Sequence, residues 1–212
     1  LTADANDTKW NFLPIENLEQ VEVIKGASSV LFGSSALNGV INVRTAYPKA
    51  KPLTKVSFFT GVYDRPVFKI DGKEYDLKWW GDKVLRTSGF SFFHSQQVGN
   101  LDLVVGENVF DDQGYREGEK EQRGRFNFNT RYRFKKVEGL SAGVNMNTMA
   151  GVSTIFFLFK NDTSGAYTPA PGTLSNSRTY RTNIDPFVTY SNKRAGTFRF
   201  RSRWFNTTNE NN

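Results

Sequence analysis

From Arg125 to Phe134 the chain alternates strictly: Phe126, Phe128, Thr130, Tyr132 and Phe134 fall on one side of an extended backbone, and Arg125, Asn127, Asn129, Arg131 and Arg133 on the other. One face is apolar and the other is wet. From Leu140 the pattern returns, with Leu140, Ala142, Val144 and Met146 opposite Ser141, Gly143, Asn145 and Asn147. The last run sets Phe198, Phe200 and Trp204 against Thr197, Arg199, Arg201 and Arg203. Less regular strands are predicted over residues 55–63, 87–96, 101–110 and 180–190, about seven in all. Pro186 interrupts one of them, because proline removes a ladder donor and demands a bulge or an unpaired position.

Both a soluble sandwich and a membrane barrel alternate in this way, so the connections have to decide between them. Long polar segments (64–86, 111–121, 151–178) take turns with short ones (97–100, 135–138, 191–195). In an up-and-down meander, that places every long loop on one rim and every short turn on the other, as in outer-membrane barrels. The clear runs also reach the ~9–11 residues a tilted membrane strand needs, where soluble strands average about 5–6. Phe110, Phe134, Phe156, Phe157, Trp204 and Phe205 stand near run ends and are read as interfacial girdles; the plainer alternative makes them core residues of a soluble β-protein.

Residues 1–47 are different in kind, rich in small residues. Val21 to Lys25 alternates as a short strand that Gly26 ends. Ala27 to Phe32 suits one or two helical turns, with Ser28 or Ser29 as N-cap, and Val40 to Arg44 makes a second strand. Gly26, Gly33 and Gly39 supply turns open to positive φ.

Composition then narrows the chemistry. Hydrophobic residues are 38% of the chain but aromatics 15%, with 19 Phe, 8 Tyr and 4 Trp, a balance that suits many short amphipathic strands. No apolar run is long enough for a membrane-spanning helix, and no signal-peptide succession is present. The chain begins with Leu1 and stops in a polar run, so both ends read as cut. With no cysteine there is no disulfide scaffold and no thiolate metal site. A net charge of +7 raises nucleic acid as a partner, but the arginines alternate with aromatics instead of clustering, which is where a water-filled barrel interior would put them. No nucleic-acid partner, cofactor or catalytic residue is expected. Ser28, Ser29, Ser34 and Ser35 lack Gly-x-Ser-x-Gly spacing, the single histidine His94 has no carboxylate nearby in sequence, and no Gly-x-x-x-x-Gly-Lys-Ser/Thr loop occurs. The acids Asp111, Asp112, Glu117, Glu119 and Glu121 could supply Ca²⁺ ligands but lack EF-hand spacing, so a solvated loop is expected. The sequons at Asn6, Asn161 and Asn206 matter only in a eukaryotic secretory protein.

The stretch Ile15 to Thr45, with Val21-Glu22-Val23-Ile24-Lys25-Gly26, then Ser28-Ser29-Val30-Leu31-Phe32-Gly33-Ser34, then Gly39-Val40-Ile41-Asn42-Val43-Arg44, resembles the C-terminal part of the plug domain of TonB-dependent outer-membrane receptors. Ala27 stands where many members have Pro, and Phe32 where many have Tyr. Asn183 to Tyr190 also resembles barrels of this family, particularly those of Bacteroidetes-type bacteria, which tolerate proline at that place.

The resemblance implies a mostly β fold: about seven strands of a large transmembrane antiparallel barrel (residues 48–212), preceded by the C-terminal part of a small α+β plug (residues 1–47). It places the first barrel strand rising from the periplasm and the long loops outside. It also implies a Gram-negative outer-membrane receptor for energy-coupled uptake of a scarce nutrient, such as a ferric siderophore or other large ligand. Its partners would be the TonB energy-coupling protein (through a segment upstream in the family), outer-membrane lipid and the extracellular ligand. A passive porin or barrel enzyme, and a soluble β-sandwich binding module, are the rival readings. Glu22, Lys25, Gly26, Ser28, Gly33, Gly39, Asn42 and Arg44 are expected to hold the plug, with Glu22, Lys25 and Arg44 paired to charges lining the lumen. The lumen arginines Arg131, Arg133, Arg199, Arg201 and Arg203 serve either the hydrated wall itself or an anionic cargo.

Overall fold

The computed structural model describes residues 3–4, 7–8, 10–26, 39–49, 51–194 and 196–212. Its main body is one antiparallel sheet in strict chain order: β5 (Leu53–Val62), β8 (Arg86–Val98), β9 (Leu101–Asp112), β10 (Lys120–Arg133), β11 (Leu140–Ile155), β12 (Ser175–Asn192), and the pair β13 (Gly196–Arg201) and β14 (Trp204–Asn211). Both β13 and β14 lie along β12 in one register, Phe187 opposite Arg201 and Ile184 opposite Trp204. They are one strand with a two-residue break, so the expected seven barrel strands are present. The break sits opposite Asp185 and Pro186. Ser202 donates its N–H to the Pro186 carbonyl (3.1 Å), but Pro186 has no N–H to return. Arg203 covers the gap by clamping the Asp185 carboxylate through Nε (2.8 Å) and Nη2 (2.6 Å).

The strands outrun the periodic segments from which they were predicted. β11 has 16 residues and β12 has 18, against the ~9–11 a bilayer requires. The surplus is at the long-loop end, where polar residues such as Ser153, Thr154, Asn176 and Ser177 still pair edge to edge. Alternation of long and short connections holds. On one rim run residues 63–85, 113–119 and 156–174; on the other run 99–100, 134–139 and 193–195.

The first long connection is more than a loop. It folds into a hairpin of β6 (Val67–Ile70) and β7 (Lys73–Asp76) around Asp71 and Gly72, with φ of 48° and 77°. Both central residues take positive φ, the turn an Asp-Gly pair favours. The hairpin signal thus lies inside a segment whose overall polarity predicts only a loop. Leu77, Trp80 and Leu85, in the remainder of the same connection, are buried.

The sheet inverts the usual distribution of polarity. Phe58 (70% exposed), Val56 (65%) and Phe200 (69%) lie bare on its outer face. Asn127 (1%), Asp102 (0%), Arg125 and Arg181 are buried on its inner face. A soluble sandwich would turn the apolar side toward a second layer; a barrel strand turns it toward lipid. Among the described residues no helix is long and apolar enough to cross a membrane.

Side-chain parity corrects three of the girdle assignments. Phe110 pairs with Arg123 on the inner face, where the guanidinium stacks on its ring at 4.1 Å. Phe205 faces inward as well and meets Phe12 edge-on at 6.3 Å, and Phe156 is buried among the loops. Position near a strand end does not settle which face a ring takes; its place in the period-2 alternation does. Trp204 lies on the outer side, as expected.

Candidate functional site

What buries the polar face is the N-terminal segment. Two 3-10 turns, η1 (Trp10–Phe12) and η2 (Ile15–Asn17), precede the hairpin of β3 (Leu18–Lys25) and β4 (Gly39–Thr45). Pro14, at the N-cap of η2, accepts the Asn17 N–H through its carbonyl (3.0 Å). The tight turn aims Glu16 and Asn17 at the wall. The Glu16 carboxylate accepts from Arg125 Nη2 (2.6 Å) and from Asn127 Nδ2 (2.5 Å). Asn17 Nδ2 donates to Asn127 Oδ1 (3.3 Å), and Arg125 Nη1 to the Asn11 carbonyl (2.8 Å). Asn147 Nδ2 reaches the Phe12 carbonyl at 2.6 Å, and Asn129 Nδ2 the Thr45 hydroxyl at 3.3 Å.

Glu16 and Arg125 have side chains only 5% and 3% exposed, so each is the other's indispensable counter-charge. Wall residues thus meet plug carbonyls, a carboxylate, an amide and a hydroxyl rung by rung along β10 and β11.

The wall makes room for this contact. A Cβ on Gly106 would lie 2.5 Å from Nδ2 and 2.8 Å from Oδ1 of Asn127, the amide that holds both Glu16 and Asn17. In the full-length protein Gly106→Ala is therefore expected to displace that amide and weaken the attachment of residues 10–26 by about 1–3 kcal/mol, the range for stranded buried polar groups. Faster proteolysis between the segment and the wall, with the barrel intact, is the readout; unchanged proteolysis rules the socket out.

Further along the lumen face, Asp102 is fully buried and clamps two arginines, Arg131 (Nε 2.8 Å) and Arg133 (Nη2 2.6 Å). Arg131 also stacks on the Tyr47 ring at 4.1 Å. Burial raises the Tyr47 phenol above its usual range, with Arg131 opposing that shift. Of the five lumen arginines singled out from sequence, Arg131, Arg133 and Arg203 are held by wall carboxylates, and Arg199 and Arg201 face inward without an ion pair among the described residues. Beside this cluster a cleft of about 620 Å³ opens between residues 16–19, the linker from Ala46 and Tyr47 through Lys49 and Lys51 to Lys55, and Phe93 and Ser95 of the wall. Lys49, Lys51 and Lys55 outnumber Glu16 and Glu19 in it, so it is basic.

The plug-motif residues are arranged differently from expectation. Glu22 pairs with its own hairpin, accepting from Asn42 Nδ2 (2.8 Å) and from Arg44 Nη2 (3.2 Å), rather than with lumen charges. Glu22, Asn42 and Arg44 lie on neighbouring cross-strand positions, so the local partner wins over a distant one. Lys25 and Gly26 are at the hairpin tip, and Gly26 has φ of 89°. Gly39 has φ of 134°, and a Cβ there would stand 2.6 Å from the Ile24 carbonyl oxygen. Ser28, Gly33 and the helical turn expected around them lie outside the described residues. Asn11, Phe12, Glu16, Asn17, Thr45 and Tyr47 make the wall contacts; Glu16, Asn17 and Thr45 fall within the stretch that resembles the plug, but none of the six was singled out as a site residue.

On the long-loop rim four of the five acids singled out from sequence are partnered. Asp112 accepts from Tyr63 (2.7 Å), Asp111 from Gln122 (2.6 Å), Glu119 from Arg116 and Glu121 from Arg123. Among the described residues no group of acids or histidine is arranged to hold a metal ion. Desolvation, then the bond to Asp112, pushes the Tyr63 phenol up to about 12. His94 points outward, with its ring nitrogens on the Thr54 hydroxyl (2.8 Å) and the Gln96 amide (3.4 Å).

Comparison with known proteins agrees with this geometry. Residues 2–40 match the TonB-dependent receptor plug domain family. The vitamin B12 transporter BtuB of Photobacterium profundum is 25% identical over 99 residues, 45% of this chain and 16% of that protein. BtuB of Vibrio vulnificus is 38% identical over 61 residues, 29% of this chain and 10% of the relative. The heme/hemopexin utilization protein C of Haemophilus influenzae is 52% identical over 44 residues, 21% and 6% of the two chains. The matched stretches thus span no more than about a sixth of these relatives. No solved structure matches the chain significantly.

Proposed function

Since this chain is part of a TonB-dependent receptor, with plug sequence followed by barrel strands, we propose that the whole protein resides in the outer membrane of a Gram-negative bacterium and takes up a scarce nutrient by energy-coupled transport. The observation that carries this reading is the capped inner face: the wall's polar rungs are closed by residues 10–17 and 45–47 through the buried Glu16–Arg125 pair and its asparagine neighbours. A stopper held by polar contacts inside a hydrated lumen can be released without exposing an apolar core, because water replaces each contact it gives up.

A passive porin has no use for a segment bound so closely to its wall. The relatives named for vitamin B12 transport and heme utilization favour a large ligand, as a ferric siderophore also would be. TonB, driven by the inner-membrane proton gradient, would act on a plug segment upstream of the region described here. Glu22, Lys25, Gly26, Gly39, Asn42 and Arg44 keep a structural role in this reading, fixing the plug hairpin.

Two measurements test it. The full-length protein is expected to fractionate with the outer membrane, and growth on its nutrient is expected to require an intact TonB system. Recovery as a soluble periplasmic protein, or equal uptake without TonB, overturns the proposal.

A further inference from the structure

The apolar band on the outer face is broken at β8 and β9. In order toward the long-loop rim, their outward cross-strand pairs are Val98–Leu101, Gln96–Leu103, His94–Val105, Phe92–Glu107, Phe90–Val109 and Ser88–Asp111. Ser88 and Asp111 already belong to the polar rim, with Thr60 and Gln122 on the same rung. Glu107 does not. It stands inside the band, between Phe92 and Phe126 across the sheet and between Val105 and Val109 along its strand. Asp111 is four residues further on, about 13 Å along the strand, too far for a glutamate side chain to reach the rim. The Glu107 side is exposed, and among the described residues no hydrogen bond or ion pair reaches its carboxyl. An ionisable group on the lipid side of a strand is costly, and such residues are rare unless they are paired.

One strand away, His94 carries the complementary group. Its Nδ1 lies 2.8 Å from the Thr54 hydroxyl and its Nε2 3.4 Å from Gln96 Oε1. Gln96 Oε1 only accepts, so Nε2 bears the proton and Nδ1 accepts from Thr54. The Nε2 bond is long, which leaves that N–H open to a better acceptor. His94 and Glu107 are diagonal to each other across β8 and β9 and do not bond within the sheet.

The same face has a hollow. On the rung of Val109 the outward residues of β10 and β11 are Gly124 and Ala150, and with Gln122, Val152 and Tyr180 they line a cavity of about 400 Å³. Phe58 and Phe90 project from that rung on the other side of Val109. Small residues let a second membrane-embedded surface come close, and polar side chains then join the two. Acceptor, donor, hollow and projecting rings thus share one patch, which makes it complementary to itself. A twofold axis along the membrane normal keeps each residue at its own depth and lets an acid and an imidazole on adjacent rungs meet reciprocally across it.

We propose that the outer face of β5 to β10 is an interface between two copies of this receptor in the membrane, with the Glu107 carboxyl of each copy accepting the His94 Nε2–H of the other. The proposal rests on the placement of this face in lipid and is independent of TonB coupling.

Native mass spectrometry of the full-length receptor in mild detergent reads the number of copies, and fluorescence transfer between two differently labelled copies in lipid vesicles reads their association. Twice the chain mass is expected. Glu107→Leu is expected to weaken association by about tenfold, two reciprocal bonds of the size that polar pairs contribute in membranes, while the barrel itself stays as stable or becomes more so. Gly124→Phe, which fills the hollow with a ring that lipid tolerates, is expected to give single copies. Phe200→Leu, on the lipid face of β13, is expected to stay paired. Mixing Glu107→Leu copies with His94→Leu copies is expected to give tighter association than either variant shows alone, because one of the two bonds is restored. Single copies of the wild type in both media, with or without an acyl chain in the hollow, overturn the proposal, and so does a different protein in place of the second copy. Association unchanged in both Glu107→Leu and Gly124→Phe overturns it as well. Single copies whose uptake still requires TonB lose only this interface; paired copies whose uptake is independent of TonB lose only the transport reading.

Discussion

Replacing Arg125 by methionine is expected to cost the attachment between residues 10–17 and the barrel wall about 3–5 kcal/mol, the range for a buried pair that loses one partner. The loss comes less from the attraction given up than from what is left behind. Glu16, with a side chain only 5% exposed, would keep its charge among Asn127, the backbone of η1 and η2 and the sheet, with no counter-ion. Glu16→Gln with Arg125→Met is therefore expected to be considerably less damaging than Arg125→Met alone, because the pair's desolvation is relieved together with its attraction. The measurement is the urea midpoint at which the plug releases from a barrel that still migrates as folded, converted to a coupling energy by a double-mutant cycle. Additive effects of the two changes, or a shift of under about 0.5 kcal/mol in Arg125→Met, would show that the pair does not fasten the plug.

The second large effect concerns the opposite face of the same strand. Phe128 lies on the outer side of β10 between Phe126 and Thr130, near the middle of the apolar band. Phe128→Arg is expected to destabilise the full-length barrel in lipid vesicles by about 2–4 kcal/mol, the cost of a cation at the bilayer midplane. Ser141→Arg, on the lumen face of β11, is expected to cost less than about 1 kcal/mol, because the charge there stays in water. Equal costs at the two positions would mean that the two faces of the sheet do not face different solvents.

These two experiments probe the two halves of one pattern. Apolar outside and polar inside was legible in the sequence because β-strand alternation is a local property: each residue's face follows from its parity alone. Strand order was also legible, since hairpin connections leave a meander little choice. Strand ends were not. β11 and β12 run past their periodic segments because backbone pairing between two neighbours sustains a strand even where both facing side chains are polar, as at Ser153 and Ser177. Pro186 is legible as a defect, and the structure shows how it is tolerated, by a break in the partner strand and the Arg203–Asp185 clamp.

The attachment site was the least legible part. Glu22 and Arg44 carried the stronger charge signal, yet they satisfy each other across a tight hairpin, whereas Glu16 reaches a residue 109 positions away. Nothing in the spacing of Glu16, Asn17 or Asn11 marks them as partners of β10, since the contact depends on how a pair of 3-10 turns is laid against a wall assembled from distant strands.

By itself, then, the sequence determined the mostly β class, the two-faced wall, the loop asymmetry and the plug motif, all of which follow from period, turn chemistry or a contiguous stretch of residues. Tertiary structure alone decided which carboxylate holds which arginine, which rings face lipid and which line the lumen, and where Gly106 leaves room for Asn127. Those outcomes depend on the register between strands far apart in the chain, and register is set by the whole sheet rather than by any segment of it.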